Sequence, residues 1–176
     1  MGLAKQEDYR GAVEPFGRAC ALDPRLLDAC YYHGRALYAA DQYRAALAPL
    51  RAALAVDAVK GRAETAMGQC HEALGEAAEA ERLFRAAIAR RDRWGQGARL
   101  AYGLFLVRQG RAAEAVTVLE AAQMPESAEA RYELGLALSQ CDRVAEAVSE
   151  LAKAPEHEAA RLLLAKLRAR LAAPRP

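Results

Sequence analysis

One pattern of small and large residues recurs along the 176-residue chain, and it predicts an all-α fold of stacked helical hairpins. A glycine returns at Gly34, Gly68, Gly103 and Gly135, at separations of 34, 35 and 32 residues. An alanine follows each glycine, then a large apolar residue, then a second alanine, always at the same internal spacing. The members of this second series, which starts one step upstream, are Ala12, Phe16, Ala19, Ala46, Leu50, Ala53, Ala80, Phe84, Ala87, Ala115, Leu119, Ala122, Ala147, Leu151 and Ala154.

Each repeat of about 34 residues is interpreted as two antiparallel helices, A and B, joined by a short turn. In the second repeat we expect helix A over roughly 27–39 and helix B over roughly 42–56. Gly34 costs helix A about 1 kcal/mol relative to alanine, which closer packing against helix B at Ala46 offsets. The same reasoning predicts that Gly68 and Ala80 face each other in the third repeat.

The two ends of the series are expected to differ. The glycine of the first repeat would fall before Met1, so only residues 2–6 remain of its helix A. We expect partial exposure at Val13 and Phe16, and either a longer parent protein or another chain that covers this edge. At the other end, residues 157–171 form a charged amphipathic pattern that is expected to cap the array.

This pattern resembles the tetratricopeptide repeat family, with its signature W-x-x-L-G-x-x-Y, then A-x-x-x-F, then P. The glycine slot is filled by HGRAL, MGQCH, YGLFL and LGLAL, which begin at residues 33, 67, 102 and 134. The A-x-x-x-F slot is filled at 45–50, 79–84, 114–119 and 146–151. Two features depart from the signature: the proline is clear only at Pro24, and the tryptophan slot holds Cys30, Glu64, Arg99 and Arg131.

The resemblance implies a right-handed α-solenoid with about four and a half repeats and a capping helix. The expected domain covers residues 1–172, and its repeats span 1–24, 25–58, 59–92, 93–125 and 126–155. The capping helix is assigned to 156–172, and a short tail to 173–176.

Composition argues against several classes of function. The net charge of +2 is too small to indicate nucleic acid or a membrane surface by itself. No apolar stretch reaches the roughly 18 residues of a membrane span, and no secretory signal is recognised, so we expect a cytoplasmic protein. The cysteines Cys20, Cys30, Cys70 and Cys141 lack C-x-x-C spacing, which favours reduced, buried thiols. A disulfide between Cys20 and Cys30, which flank one inter-repeat turn, is the alternative.

No motif indicates catalysis. HEALGE at 71–76 lacks the second histidine of a zinc motif, and WGQG at 94–97 lacks the lysine of a phosphate loop. His33, His71 and His157 fall in different repeats, and His33 is interpreted as a packing residue beside Gly34. We therefore expect no catalytic residue, no cofactor and no bound metal.

The arginine-rich segment at 89–99 surrounds the only tryptophan, Trp94. One interpretation is a basic, aromatic patch for nucleic acid, a phosphate or an acidic partner. The other is a cationic helix end followed by a loop whose tryptophan packs into the seam between repeats. We favour the second, because arginine is frequent throughout the chain.

The family resemblance further implies a groove, lined by the A helices, that holds a peptide segment of a partner. Transferred slot by slot, its lining is Asp28, Tyr31, Arg35, Tyr38, Arg62, Thr65, Gln69, Glu72, Leu100, Leu104, Val107, Arg108, Tyr132, Leu136, Ser139 and Gln140. Leu104 and Leu136 are the members that we expect to pack against neighbouring helices instead. A chaperone-type carboxylate clamp is not expected, since Tyr32 and Ala66 occupy two of its polar slots.

The predicted function is therefore a non-enzymatic scaffold or adaptor that binds a protein or peptide partner. A homo-oligomer or a neighbouring domain is a further candidate partner, through the incomplete first repeat. The alternatives are an accessory segment that positions substrate for a larger enzyme, and a basic nucleic-acid binder.

Overall fold

The computed structural model describes residues 9, 11–25, 28–123 and 127–172, and within these ranges the regular structure is helical with no strand. The expectations for residues 2–6, for position 27, for Pro125 and for the tail at 173–176 lie outside the described residues. Within the described ranges, no helix combines the length and apolar character needed to span a membrane.

Ten α-helices account for most of the described chain. Their bounds are α1 Val13–Leu22, α2 Ala29–Ala39, α3 Tyr43–Ala53, α4 Lys60–Ala73, α5 Ala77–Ala89, α6 Gly95–Arg108, α7 Ala112–Glu120, α8 Ala128–Gln140, α9 Val144–Leu151 and α10 Glu158–Ala172. A short 3-10 turn, Asp57–Val59, connects α3 to α4. The predicted pairs are thus present, although α3 ends earlier than the expected position 56. The chain divides into two compact bodies, Met1–Ala98 and Arg99–Pro176.

In the first body each helix packs against the next one along the chain, from α1 to α5, and α2 also contacts α4. One buried cluster joins α2, α3, α4 and α5 and contains Leu37, Ala46, Leu50, Ala66, Met67, Cys70 and Leu83. A second cluster, formed by Cys30, Ala53, Val59 and Ala63, lies where three of the helices meet. The core is therefore built of alanine and medium-sized apolar residues, as the sequence pattern predicts.

Close contact between the paired helices confirms the reason for the recurring glycines. A Cβ atom on Gly34 would lie 2.7 Å from Leu50 Cδ2, and one on Gly68 would lie 2.8 Å from Phe84 Cε1. Both distances are too short for real carbon atoms. The atoms nearest to a Cβ on Gly68 belong to the Phe84 ring, and Ala80 is fully buried. That Gly68 and Ala80 face each other stays a prediction.

The turn inside each hairpin has a residue with positive φ at the same register. These residues are Asp41, Gly75, Gly110 and Asp142, with φ of 59°, 76°, 73° and 60°. The next amide N–H donates back to a carbonyl five residues earlier, as in Gln42 N to Leu37 O at 2.9 Å. This arrangement is a Schellman cap, which satisfies the last carbonyls of helix A and turns the chain toward helix B.

In the second body, the helix pairs repeat the same close contact. Cβ atoms on Gly103 and Gly135 would each lie 2.5 Å from the Cγ atom of a leucine, Leu119 and Leu151 respectively. The final helix α10, for which a capping role is predicted, packs against α8 and α9. His157 precedes α10, and its Nδ1 accepts a hydrogen bond from Ala160 N at 3.2 Å.

The tryptophan slot of three repeats is filled by a cross-link between helices. On α2 Cys30 is joined to Cys20 of α1 by a disulfide, so the prediction of reduced thiols is wrong for this pair. On α4 Glu64 receives two hydrogen bonds from Arg90, at 2.5 and 2.6 Å. On α8 Arg131 pairs with Glu150. Each cross-link occupies the position where the family signature has a tryptophan.

Candidate protein-binding face

The predicted lining residues of the first body meet in two pairs that join α2 to α4. The Asp28 carboxylate forms an ion pair with the Arg62 guanidinium, and Arg35 Nη1 donates to Gln69 Oε1 at 2.7 Å. Both pairs connect residues 34 positions apart, which is the repeat period. The equivalent faces of neighbouring A helices are therefore tied together by polar contacts.

Arg62 is the centre of an aromatic cluster on this face. Its guanidinium carbon lies 4.1 Å from the ring centroid of Tyr31, 4.6 Å from that of Trp94 and 5.4 Å from that of Tyr32. The Tyr31 and Tyr32 rings meet edge to face, with centroids 5.3 Å apart. The Arg62 side chain is only 16% exposed, and its Nε atom is buried without a hydrogen-bond partner. Cation–π contacts of this kind are stronger where water is excluded.

Tyr31 lies between two arginines but is mostly buried. Burial raises the pKa of the Tyr31 hydroxyl above its usual value, while the charges of Arg35 and Arg62 act in the opposite direction. The hydroxyl is therefore neutral at physiological pH and keeps its proton for donation. Next along the helix, Arg35 lies 5.3 Å from the ring centroid of Tyr38, and Tyr38 contacts Tyr43 at the same centroid separation.

The remaining first-body members of the set lie along α4. Thr65 is half-buried, and its hydroxyl donates to the carbonyl oxygen of Gly61 at 2.8 Å, one turn earlier. Gln69 and Glu72 follow on the same side at helical spacing, and both are half-buried. The face formed by Tyr31, Arg35, Tyr38, Arg62 and Gln69 is called the α2–α4 face below.

Trp94 confirms the favoured interpretation of the arginine-rich segment. Its indole N–H donates to the carbonyl oxygen of Ala58 at 2.7 Å, across a sequence separation of 36 residues. Its backbone N–H donates to Asp92 Oδ1 at 2.8 Å, which fixes the turn before α6. The tryptophan thus packs in the seam between repeats. The neighbouring Arg93, which lies 4.6 Å from the indole, and Arg91 are exposed and keep positive charge at the surface.

In the second body the predicted lining residues differ in how much surface they present. Leu100, Leu104 and Leu136 are half-buried, Arg108 and Gln140 are exposed, and Val107 is buried at 9% exposure. The Ser139 hydroxyl donates to Leu136 O at 2.7 Å.

Tyr132, the remaining predicted lining residue of this body, stacks its ring on the imidazole of His157, with centroids 4.8 Å apart. His157 Nδ1 accepts from the backbone, so Nε2 carries the proton that points to Glu129 Oε2, 3.3 Å away. Between these groups, burial raises the pKa of Glu133, and the charge of Glu129 adds to the effect. This arrangement ties α8 to the start of the capping helix.

Two members of the aromatic cluster around Arg62 lie outside the predicted lining. Tyr32 occupies a slot of the carboxylate clamp, and Trp94 comes from the connection that precedes α6. The sequence signal that could place Trp94 in the cluster is its position one repeat after Lys60, near the next turn between repeats. No group of three or more histidine, cysteine or carboxylate side chains suited to a metal ion occurs among the described residues.

Comparison with known proteins finds similarity to tetratricopeptide repeat proteins. The tetratricopeptide repeat model matches residues 106–171. The fold resembles the C-terminal part of a TPR repeat-containing protein from Cytophaga hutchinsonii, with 20% identity, coverage of 95% of this chain and 68% of that one, and a TM-score of 0.71. It also resembles YrrB, described as a TPR protein with an unusual peptide-binding site (24% identity, 93% and 86% coverage, TM-score 0.63).

A third similar structure is MamA from Desulfovibrio magneticus RS-1, with 22% identity, coverage of 85% of this chain and 86% of that one, and a TM-score of 0.70. None of the curated proteins is significantly similar to this chain in sequence. The protein therefore has the fold of tetratricopeptide repeat proteins, and the family model matches its residues 106–171.

Proposed function

We propose that this protein is a non-enzymatic interaction module whose α2–α4 face binds a peptide segment of a partner protein, in the role of a scaffold or adaptor. The observation that carries the proposal is the pair of inter-repeat contacts, Asp28 with Arg62 and Arg35 with Gln69. These contacts hold two arginines and two tyrosines in fixed positions along one side of α2 and α4.

Fixed side chains suit recognition for an energetic reason. Ordering a long side chain at an interface costs about 0.5–1.5 kcal/mol, and an arginine already held by a neighbour has lost much of that freedom before binding. Tyrosine and arginine are also the residue types that dominate interface hot spots. The Arg35 guanidinium is bonded to a neutral amide, so its positive charge is available to an incoming carboxylate or carbonyl group.

The related structures support the proposal only at the level of the fold. YrrB is described as having a peptide-binding site, but at 24% identity its binding residues do not transfer to this chain. The side chains of the α2–α4 face are thus the main support.

The proposal includes no catalytic role, because each histidine has a structural environment. His33 packs against Gly17, and burial lowers its pKa. His71 contacts Glu76, at 2.5 Å, and His157 caps α10. None of the three is paired with a hydroxyl or thiol nucleophile in the described contacts.

Replacing both Tyr31 and Arg35 with alanine is expected to weaken binding by about 2 kcal/mol or more, which is roughly thirtyfold in Kd. The ligand is a peptide selected from a random display library against the full chain, and affinity is measured by calorimetry. Circular dichroism is expected to show unchanged helical content, since both residues are half-buried at the surface of α2.

Two further variants sharpen the test. Gln69→Ala removes the amide that holds Arg35, so it should weaken binding by about 0.5–1.5 kcal/mol, which is less than the double substitution costs. Arg82→Ala removes an exposed charge on α5 and should change nothing. Equal affinity of the double variant and the parent chain would remove this face from the site.

A further inference from the structure

The Cys20–Cys30 disulfide connects α1 covalently to α2 in the first body. None of the residues in α1 is fully buried, in contrast to α2, α3, α4 and α5. Its large exposed residue Leu22 is 86% accessible. A helix of ten residues is marginal in water unless tertiary packing stabilises it.

The contacts that α1 does make lie on one stripe. Val13 packs on the main core cluster, the Phe16 ring stacks on Tyr32 with centroids 5.4 Å apart, and Gly17 faces the His33 ring. Cys20 continues this stripe one turn later, where it reaches the cluster around Ala53 and Val59. The disulfide therefore lies at the end of the stripe and fixes its C-terminal turn onto α2.

We propose that the Cys20–Cys30 pair is a redox modification site that controls whether α1 stays docked on α2. The bond closes a loop of modest length, since the two cysteines are ten positions apart, and it limits how far α1 can move. Cys30 is fully buried, whereas Cys20 is half-buried and is the sulfur that a reductant reaches first.

The reaction is a thiol–disulfide exchange with a dithiol as the reductant. Its thiolate attacks Cys20 Sγ, the Sγ–Sγ bond breaks, and Cys30 leaves as a thiolate that takes up a proton. The second thiol of the reductant then attacks the mixed disulfide and releases Cys20. Two electrons and two protons pass to the protein, and the dithiol becomes a disulfide.

Among the described contacts, reduction leaves α1 held by the half-buried stripe of Val13, Phe16 and Gly17. Undocking then frees Phe16 from Tyr32, and Tyr32 is part of the aromatic cluster around Arg62. Reduction of the disulfide thereby changes the packing at the edge of the α2–α4 face. At the tryptophan slot, α4 and α8 carry non-covalent ion pairs. Among the three cross-links described above, the one on α2 is the covalent bond that a reductant can break.

Hydrogen exchange of the full chain, with and without dithiothreitol, tests the proposal. Amides of α1 are expected to exchange about a hundredfold faster after reduction, which corresponds to the loop-closure entropy of a loop of this size. Amides of α5 in the same body are expected to change little. Alkylation and mass spectrometry before reduction should leave Cys20 and Cys30 unlabelled.

Two variants complete the test. Cys20→Ala should show fast α1 exchange that no longer responds to the reductant, while Cys141→Ala, which removes a half-buried free thiol elsewhere, should respond like the parent. The proposal is overturned if Cys20 and Cys30 are both alkylated in the oxidised protein, or if reduction leaves α1 exchange unchanged. Equal acceleration of α1 and α5 would also overturn it, since that pattern indicates global loosening. Should Cys20→Ala fail to fold, the parent chain with and without reductant still decides.

Discussion

Replacing Phe84 with alanine is expected to lower the free energy of unfolding by about 3–5 kcal/mol. The Phe84 side chain is fully buried, and its ring fills the space that the missing side chain of Gly68 leaves on α4. The truncation removes that ring and opens a cavity between α4 and α5. The two helices can move together only in part, so some of the cavity remains. Urea unfolding followed by circular dichroism measures the change.

A double-mutant cycle tests whether Gly68 and Phe84 form one packing unit. Gly68→Ala alone should cost about 1–3 kcal/mol, because its Cβ would lie 2.8 Å from the Phe84 ring. In the Phe84→Ala background the same change should be neutral or stabilising, since alanine is the better helix former by about 1 kcal/mol.

Gly97→Ala is the matched control for this cycle. Gly97 lies in α6, and a Cβ atom there would have no neighbour within 4 Å. This substitution should stabilise the protein by about 0.4–1 kcal/mol. Additive effects of Gly68→Ala and Phe84→Ala would contradict the account of why the glycine recurs.

Replacing Arg90 with leucine is expected to lower the free energy of unfolding by about 2–4 kcal/mol. This is the second large effect that we expect. Glu64 is only 7% exposed, and both of its carboxylate oxygens accept hydrogen bonds from Arg90. Removing the arginine leaves a buried carboxylate without its partner, which is costly in a medium of low polarity. This loss of stability is smaller than the largest losses seen when a buried ion pair is broken, because the Arg90 side chain is 36% exposed and remains partly hydrated.

The double substitution Glu64→Leu with Arg90→Leu removes both charges and should be less destabilising than Arg90→Leu alone. Arg82→Leu serves as the comparison, because Arg82 and its partner Glu79 form an exposed pair on α5. It should change the stability by no more than about 1 kcal/mol. A cost for Arg90→Leu as small as that for Arg82→Leu would show that the buried pair contributes little.

Periodicity predicted the helix pairs and their seams because packing constraints repeat with the chain. A glycine opposite a leucine or phenylalanine is a local steric requirement, so the spacing between Gly34 and Leu50 carries the information directly. The hairpin turns left a similar signal at Asp41 and Gly75, whose positive φ favours aspartate and glycine. An aspartate or glycine at the hairpin turn thus recurs at the repeat period, and it is a second sequence signal for the helix pairs.

The cross-links at the tryptophan slot were beyond what spacing could predict. Cys30, Glu64 and Arg131 looked like unrelated departures from one signature, and their partners lie 10, 26 and 19 residues away. Which partner each residue finds depends on the three-dimensional arrangement of neighbouring helices. The same limit applies to the α2–α4 face, where slot positions gave Tyr31 and Arg35 but not the contact of Trp94 with Arg62.

A hydrogen-exchange footprint of the selected peptide on the full chain tests the central claim most directly. We predict that the bound peptide slows exchange in α2 and α4, and that it leaves α3 and α5 unchanged. The effect should disappear in the variant that carries both Tyr31→Ala and Arg35→Ala. Protection of α3 and α5, or an identical footprint in that variant, would contradict the assignment of binding to the α2–α4 face.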